Sequence, residues 1–238
     1  MGQTRFETYD KCVNLEERYV SLTHHAPQHG TIFMEIVKLF QDGGPFMYPI
    51  LVVFAMGVAI ALERYFYLSK TSRATNKVWS QLTPMLKASD FERAFKLTES
   101  INTPISYVLN YGFSRHNDNK RREIIEAAME EGMMDAMPSL VQRTHYLATF
   151  ANVATLLGLL GTIVGLIQAF TAVAAANPAD KADLLSASIS VAMNTTAFGL
   201  MAAIPLLLAH SYLVTKTAHL VDALEKAAVK SINLMIKD

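Results

Sequence analysis

Residues 152–170 read NVATLLGLLGTIVGLIQAF. They lie within a longer run, residues 148–176, that contains no charged side chain. At about 1.5 Å of rise per helical residue, this run is longer than the roughly 30 Å hydrocarbon core of a bilayer. The sequence here therefore predicts a helix that spans a membrane.

Small residues repeat along this predicted helix at spacings of three and four. They are Ala151, Ala154, Gly158, Gly161, Gly165 and Ala169. Residues at this spacing share one face of a helix, and small side chains there let another backbone approach closely. A face exposed only to lipid would carry larger apolar side chains, so the pattern indicates a protein neighbour or a cavity. Thr155 and Thr162 add hydroxyl groups to this surface.

The composition is that of a membrane protein, with 51% hydrophobic residues and a mean hydropathy of +0.22. The formal net charge is zero and no basic stripe is interleaved with aromatic residues, so nothing indicates a nucleic-acid partner. Cys12 is the only cysteine, which excludes an intrachain disulfide framework and a multi-cysteine metal site. The sequence contains no nucleophile elbow, phosphate-binding loop or H-E-x-x-H motif, so we expect neither an enzyme nor a cofactor.

Two further apolar blocks predict two more spans. The first, residues 46–68, ends in the charged pair Glu63 and Arg64 beside three aromatic residues, a combination typical of the membrane–water interface. Lysine and arginine residues follow it, so the positive-inside rule places the N-terminus in the periplasm and residue 69 onward in the cytoplasm. The last block, residues 184–215, contains no Asp, Glu, Lys or Arg and is long enough to cross.

These patterns predict an all-α integral membrane protein with three transmembrane helices and long cytoplasmic helical extensions. The predicted segments are a periplasmic tail with an interfacial helix (1–45), the three spans (46–68, 146–176 and 184–215), a cytoplasmic helical region (69–145), a periplasmic loop (177–183) and a cytoplasmic tail helix (216–238). His24, His25 and His29 lie in a polar segment without an evident rigid support, so we expect a solvated tail there rather than a metal site.

The cytoplasmic region has helical periodicity with recognisable boundaries. Asp90 is a predicted N-cap, and Pro104 separates the next helix. From about residue 120 the pattern predicts one continuous helix that enters the second span, with a kink or local break at Pro138. Such a rod would couple motions of the cytoplasmic region to the membrane.

The third span also carries a polar face. Ser186, Ser190 and Asn194 follow one another at intervals of four, and Thr195 and Thr196 come next, before Gly199. Hydroxyl groups in a helix bundle either bond to their own or a neighbouring helix, or line a path for an ion; the sequence leaves both interpretations open. The interior of the spans contains no acid, so a partner would have to supply the carboxylate of an ion relay.

Two motifs resemble those of the proton-channel family that includes ExbB, TolQ and the stators MotA and PomA. They are GTIVGL at residues 161–166 and TAFGLMAAIP at residues 196–205. The resemblance covers about residues 40–215, and three spans with a short C-terminal tail place the chain nearer ExbB and TolQ. It does not extend to the first 30 residues, and Met34 is an alternative start of the polypeptide.

The resemblance implies a homopentamer in the bacterial inner membrane whose second and third spans surround a central pore. It also implies a dimeric, single-span ExbD-, TolR- or MotB-like partner in that pore, whose aspartate takes up the ion near Thr162 and Thr196, and a TonB- or TolA-like protein beyond it. The predicted ion-path residues are Thr155, Gly158, Thr162, Gly165, Asn194, Thr195, Thr196 and Gly199.

The coupling ion stays open because one position departs from the ExbB and TolQ pattern. Val191 stands where those proteins usually carry a glutamate, five residues before Thr196. PomA-type sodium stators also lack this acid and have a threonine pair like Thr195 and Thr196. We expect protons, because more of the family uses them, with sodium as the alternative. A membrane scaffold that recruits cytoplasmic proteins is the alternative function.

Overall fold

A computed structural model describes residues 37, 40, 43–118 and 121–236, except the side chains of 117 and 118. Its helices are α1 (Met47–Lys87), α2 (Phe91–Ser100), α3 (Pro104–Asp118), α4 (Arg122–Val141), α5 (Thr144–Ala175) and α6 (Lys181–Met235). Three stretches, in α1, in α4 with α5, and in α6, are long and apolar enough to cross a membrane. The predicted all-α architecture with three apolar helices is confirmed. The predicted tail and interfacial helix lie outside the described residues, apart from Val37 and Phe40, which are helical.

The described chain divides into two halves that α1 and α6 connect. The apolar half contains residues 46–68, 144–176 and 184–215, and the charged half contains residues 69–141 and 216–236. Helix α6 runs through both for 55 residues, or about 80 Å. Residues 206–235 contain neither glycine nor proline, so nothing in the backbone ends the helix after the apolar segment. The predicted tail helix is therefore the continuation of α6.

Large apolar side chains form the core of the charged half. Leu82, Phe113, Leu140 and Leu224 come from four different helices and are almost completely buried. The helix boundaries follow the sequence signals: the Asp90 carboxylate accepts the Arg93 backbone N–H at 3.3 Å, and α3 begins at Pro104. The Tyr111 hydroxyl donates to the Asp135 carboxylate at 2.8 Å, which joins α3 to α4 and raises the pKa of Tyr111.

The apolar half has the opposite arrangement of side-chain sizes. Its buried core contains four alanines, Ala151, Ala154, Ala202 and Ala203, beside four larger residues, Met47, Ile50, Phe198 and Leu206. Many of its leucines and isoleucines point outward; Leu208, for example, is 68% exposed. Lipid tails are as apolar as leucine, so helices in a membrane associate through close packing of small residues instead.

Helices α5 and α6 come closest at two glycines, Gly158 and Gly199. A Cβ atom added to Gly199 would lie 2.8 Å from the carbonyl oxygen of Ala154 and 3.0 Å from the Cα atom of Gly158. Both neighbours are backbone atoms, so only glycine fits at this distance. The neighbour that the small-residue face indicated is thus α6 of the same chain.

The helix predicted from residue 120 into the second span is interrupted, four residues beyond the kink or local break predicted at Pro138. Helix α4 ends at Val141, and α5 begins at Thr144 after a two-residue turn in which Arg143 has a left-handed φ of 66°. Pro138, the predicted kink, lies inside the last turn of α4, and its carbonyl accepts the Gln142 N–H at 3.0 Å. The junction is a turn rather than a straight rod.

Glu63 and Arg64 of α1 both bind this turn. The Arg143 guanidinium donates to the Glu63 carboxylate at 3.2 Å, and Arg64 Nη1 donates to the Ser139 carbonyl at 3.2 Å. In a continuous helix the Arg143 N–H would bond to this carbonyl, and the turn removes that donor. Arg64 is only 1% exposed and lies over the Tyr67 ring, so it faces the helix junction. Its level relative to the membrane surface stays a prediction.

The left-handed turn at Arg143 predicts which of two substitutions is more stable, and a continuous helix would predict the opposite order. Arg143→Gly and Arg143→Ala both lose the ion pair with Glu63, so comparing them isolates the backbone. We expect the glycine variant to be more stable by about 1 kcal/mol, because a Cβ atom is unfavourable at this φ. Unfolding of the purified variants, followed by the fluorescence of Trp79, measures the difference. In a helix interior alanine would be favoured by about 1 kcal/mol, and that order would contradict the turn.

The contact between Gly158 and Gly199 predicts that Gly199→Ala destabilises the apolar half by about 1–3 kcal/mol, because rigid backbone must move. Gly57→Ala is the matched control. The three atoms nearest its added methyl group all belong to the Leu206 side chain, so no backbone atom is among them. Thermal unfolding in detergent should show a larger loss for Gly199→Ala; equal losses would mean that the close contact is not the cause.

Candidate functional site

Two threonine hydroxyls meet between α5 and α6. The Oγ1 atoms of Thr162 and Thr196 lie 3.2 Å apart, within hydrogen-bond distance. Thr162 is one helical turn beyond Gly158, and Thr196 is three residues before Gly199, so the pair lies directly beside the closest approach of the two helices. Both residues are half-buried. The predicted ion-path pair is therefore brought together within a single chain.

The hydrogen-bond pattern leaves oxygen lone pairs available at this pair. Thr162 donates to the Leu159 carbonyl of its own helix at 2.6 Å. Thr196 has a single hydroxyl hydrogen and two acceptors within reach, the Gly158 carbonyl at 3.0 Å and Thr162 Oγ1 at 3.2 Å. Each hydroxyl oxygen has two lone pairs, so both can still accept a hydrogen from water or an acid, or coordinate a cation.

The surface around the pair is apolar and uncovered in the single chain. Leu159, Ile163, Met193 and Leu200 lie within four residues of the pair along α5 and α6, and their exposed fractions are between 45% and 65%. Residues 144–176 and 184–215 contain no Asp, Glu, Lys or Arg. The two hydroxyls are thus polar groups on an otherwise hydrocarbon surface, to which these two segments contribute no Asp, Glu, Lys or Arg.

Thr195 lies apart from the pair. It is 2% exposed, and its hydroxyl lies 2.7 Å from the Gly43 carbonyl and 3.0 Å from the Val191 carbonyl. Neighbouring residues in a helix point about 100° apart, so Thr195 turns toward the beginning of α1 while Thr196 turns toward α5. The sequence grouped the two threonines, and the structure gives them different neighbours.

The other predicted residues do not share one environment. Gly165 packs on Ala192, with an added Cβ at 3.0 Å from the alanine Cβ, and so joins Gly158 and Gly199 in the contact between α5 and α6. Thr155 is half-buried and donates to the Ala151 carbonyl of its own helix. Asn194 is half-buried, two residues before Thr196. A role for these residues in lining a pore between chains stays a prediction.

The sequence interpretation missed two groups that position the threonines. One is Ala192, which faces Gly165. Its spacing to Gly199 and Ala203 repeats the small-residue pattern of α5, and this pattern could have identified Ala192 from the sequence. The other is the Gly43 carbonyl, which binds Thr195 across 152 positions of sequence. A backbone oxygen so distant in sequence has no signature in the residue pattern.

Comparison with known proteins agrees with this architecture. The chain is 29% identical over 195 residues to an ExbB homolog of Methanothermobacter thermautotrophicus, which covers 81% of this chain and 68% of the relative. It is 25% identical over 167 residues to an ExbB-like protein of Synechocystis sp., covering 70% and 79%. It is 38% identical over 86 residues to the Tol-Pal system protein TolQ of Haemophilus influenzae, covering 36% and 37%.

The family comparison covers the part of the chain that contains the threonine pair. A sequence model of the MotA/TolQ/ExbB proton channel family matches residues 100–226. This match includes α4, α5 and most of α6, and it exceeds half of the 238-residue chain. The chain belongs to the MotA/TolQ/ExbB proton channel family.

Proposed function

We propose that this protein is the ion-conducting subunit of an inner-membrane motor, which converts proton-motive force into mechanical work through a single-span, ExbD- or TolR-like partner. The observation that carries the proposal is the pair of hydroxyls at Thr162 and Thr196, 3.2 Å apart on an uncovered apolar surface. Membership of a proton channel family supports the same function. The energised process is TonB-dependent outer-membrane transport or a related envelope process.

The partner supplies an aspartate, because an ion relay through hydrocarbon needs an acid and residues 144–176 and 184–215 contain none. The Thr196 hydroxyl suits both states of such an acid. It donates its hydrogen to a charged carboxylate, and its oxygen accepts the hydrogen of a protonated one. The bond from Thr162 to the Leu159 carbonyl fixes the position of the Thr162 hydroxyl. The pair therefore lowers the free energy of the partner's charged carboxylate without adding a fixed charge.

The assembly that fits this mechanism is a homopentamer around two partner spans, with the N-terminus in the periplasm and the C-terminus in the cytoplasm. The orientation is supported by Lys70, Arg73 and Lys77, which follow the first apolar segment of α1 without an intervening acid. A partner span would cover the apolar surface around the threonine pair, which one chain leaves exposed.

One observation favours a membrane scaffold as the second candidate. Thr162 and Thr196 each have a hydrogen-bond acceptor within the same chain, as expected of residues that only pack helices. On that interpretation the surface recruits a protein but carries no ion. Removal of one hydroxyl would abolish the activity of an ion-conducting subunit but not that of a scaffold.

Thr196→Val tests the difference. It keeps the side-chain shape and removes the hydroxyl, so we expect ion-driven activity to fall at least about tenfold while assembly with the partner is unchanged. Thr196→Ser should keep most of the activity. Thr171→Val is the control, because Thr171 is exposed on α5 and bonds only to its own helix. An active Thr196→Val variant would favour the scaffold.

We expect the coupling ion to be the proton. Activity of the reconstituted assembly in vesicles should then persist in sodium-free buffer and collapse when an ionophore dissipates the pH gradient. Activity that needs sodium and survives the loss of the proton gradient would assign the alternative ion. The Thr196→Val variant serves as the inactive reference in both conditions.

A further inference from the structure

The charged half contains an open groove of about 860 Å³ between α4 and the end of α6. Four methionines of α4 line it: Met129, Met133, Met134 and Met137. Val229 and Ile232 of α6 form the opposite wall. Met134 is 65% exposed, so apolar surface that water contacts extends to the rim. Methionine side chains are flexible and polarisable, and grooves rich in them bind helical segments of varied sequence.

The rim of this methionine groove is acidic. Glu126 and Glu130 of α4 and Glu225 of α6 border it, and among the described residues no lysine or arginine lines it. Glu126 pairs with Arg122 at 3.4 Å, whereas Glu130 and Glu225 are in no ion pair among the described residues. An apolar floor with unpaired carboxylates at its edges is complementary to an amphipathic helix with a basic face.

The groove and the threonine pair lie on opposite sides of the turn at Arg143 along the chain. Pro138 and Val141 form its end nearest the turn, and α5 begins three residues later. Thr162 lies 21 residues beyond Val141, or about 30 Å along the helices. A partner span at the threonine pair would therefore leave the apolar half close to the groove.

We propose that the methionine groove binds the basic amphipathic segment that precedes the span of the partner protein, an inference that rests on the proposed function. A single-span protein whose N-terminus is cytoplasmic carries lysine or arginine where it leaves the membrane on that side. The charge of that segment matches Glu130 and Glu225, and its apolar face matches the four methionines. This contact anchors the partner by a second site, distant from the ion path.

The test uses the full-length protein in nanodiscs of phosphatidylcholine, whose neutral headgroups do not attract a basic peptide. The probe is a synthetic amphipathic peptide of about 20 residues, with leucines on one helical face and lysines on the other. A peptide with glutamate in place of lysine, and nanodiscs without protein, are the controls. We expect the basic peptide to bind nanodiscs that contain the protein more tightly than empty ones, which it enters through its leucine face, and the acidic peptide to show no such difference.

The variant Glu130→Gln/Glu225→Gln should weaken binding by about tenfold at low salt. Met134→Ser should also weaken it, and its exposed position makes unfolding a poor explanation. Glu131→Gln is the matched control, since Glu131 is exposed on α4 outside the groove. Unchanged binding by the double variant, or equal binding of the acidic peptide, would overturn the proposal. So would a change in the number of copies of the double variant in native mass spectrometry, because the groove would then join two copies of this chain.

The proposals for the groove and for the ion path can be rejected independently of each other. Thr196→Val lies far from the groove, so it should leave peptide binding unchanged. An absent peptide signal beside an inactive Thr196→Val variant would reject the groove and leave the proposed function standing. Peptide binding beside a fully active Thr196→Val variant would support the groove and reject the ion path.

Discussion

The arrangement of the apolar half depends on the close contact of α5 and α6 at Gly158 and Gly199. Backbone atoms there are so near that a single added carbon would collide with a carbonyl. In a membrane this packing replaces the burial of large side chains, because those gain nothing by leaving lipid. It also determines the site: Thr162 and Thr196 lie beside the contact, and helices held further apart could not place their hydroxyls within hydrogen-bond distance.

At the junction between the two halves, a break in the helix is held by side chains of α1. The left-handed turn at Arg143 separates α4 from α5, so the two helices need not move as one rod. Glu63 and Arg64 of α1 hold the turn from outside, one by an ion pair and the other by bonding the Ser139 carbonyl. Movement of the charged half would thus be transmitted to α5 through α1 as well as along the chain.

The chain separates most of its charged side chains from the threonine pair. Acids and bases are concentrated in the charged half, where they surround a conventional core of large apolar side chains. In the apolar half, residues 144–176 and 184–215 offer hydroxyl and carbonyl oxygens without an Asp, Glu, Lys or Arg. A family of proton channels can use this division, because fixed charges in hydrocarbon are costly and a movable acid on a partner is needed only where an ion is taken up.

The sequence by itself determined the apolar helices, their small-residue face and the absence of an acid within them, because helix length, periodicity and composition are local properties. It also identified Thr162 and Thr196, through the motifs that contain them. Only the tertiary structure separated Thr195 from that pair and showed Arg64 bonded to the Ser139 carbonyl. Both depend on backbone groups far away in sequence, whose positions are fixed by the way the helices pack and leave no trace in the residue pattern.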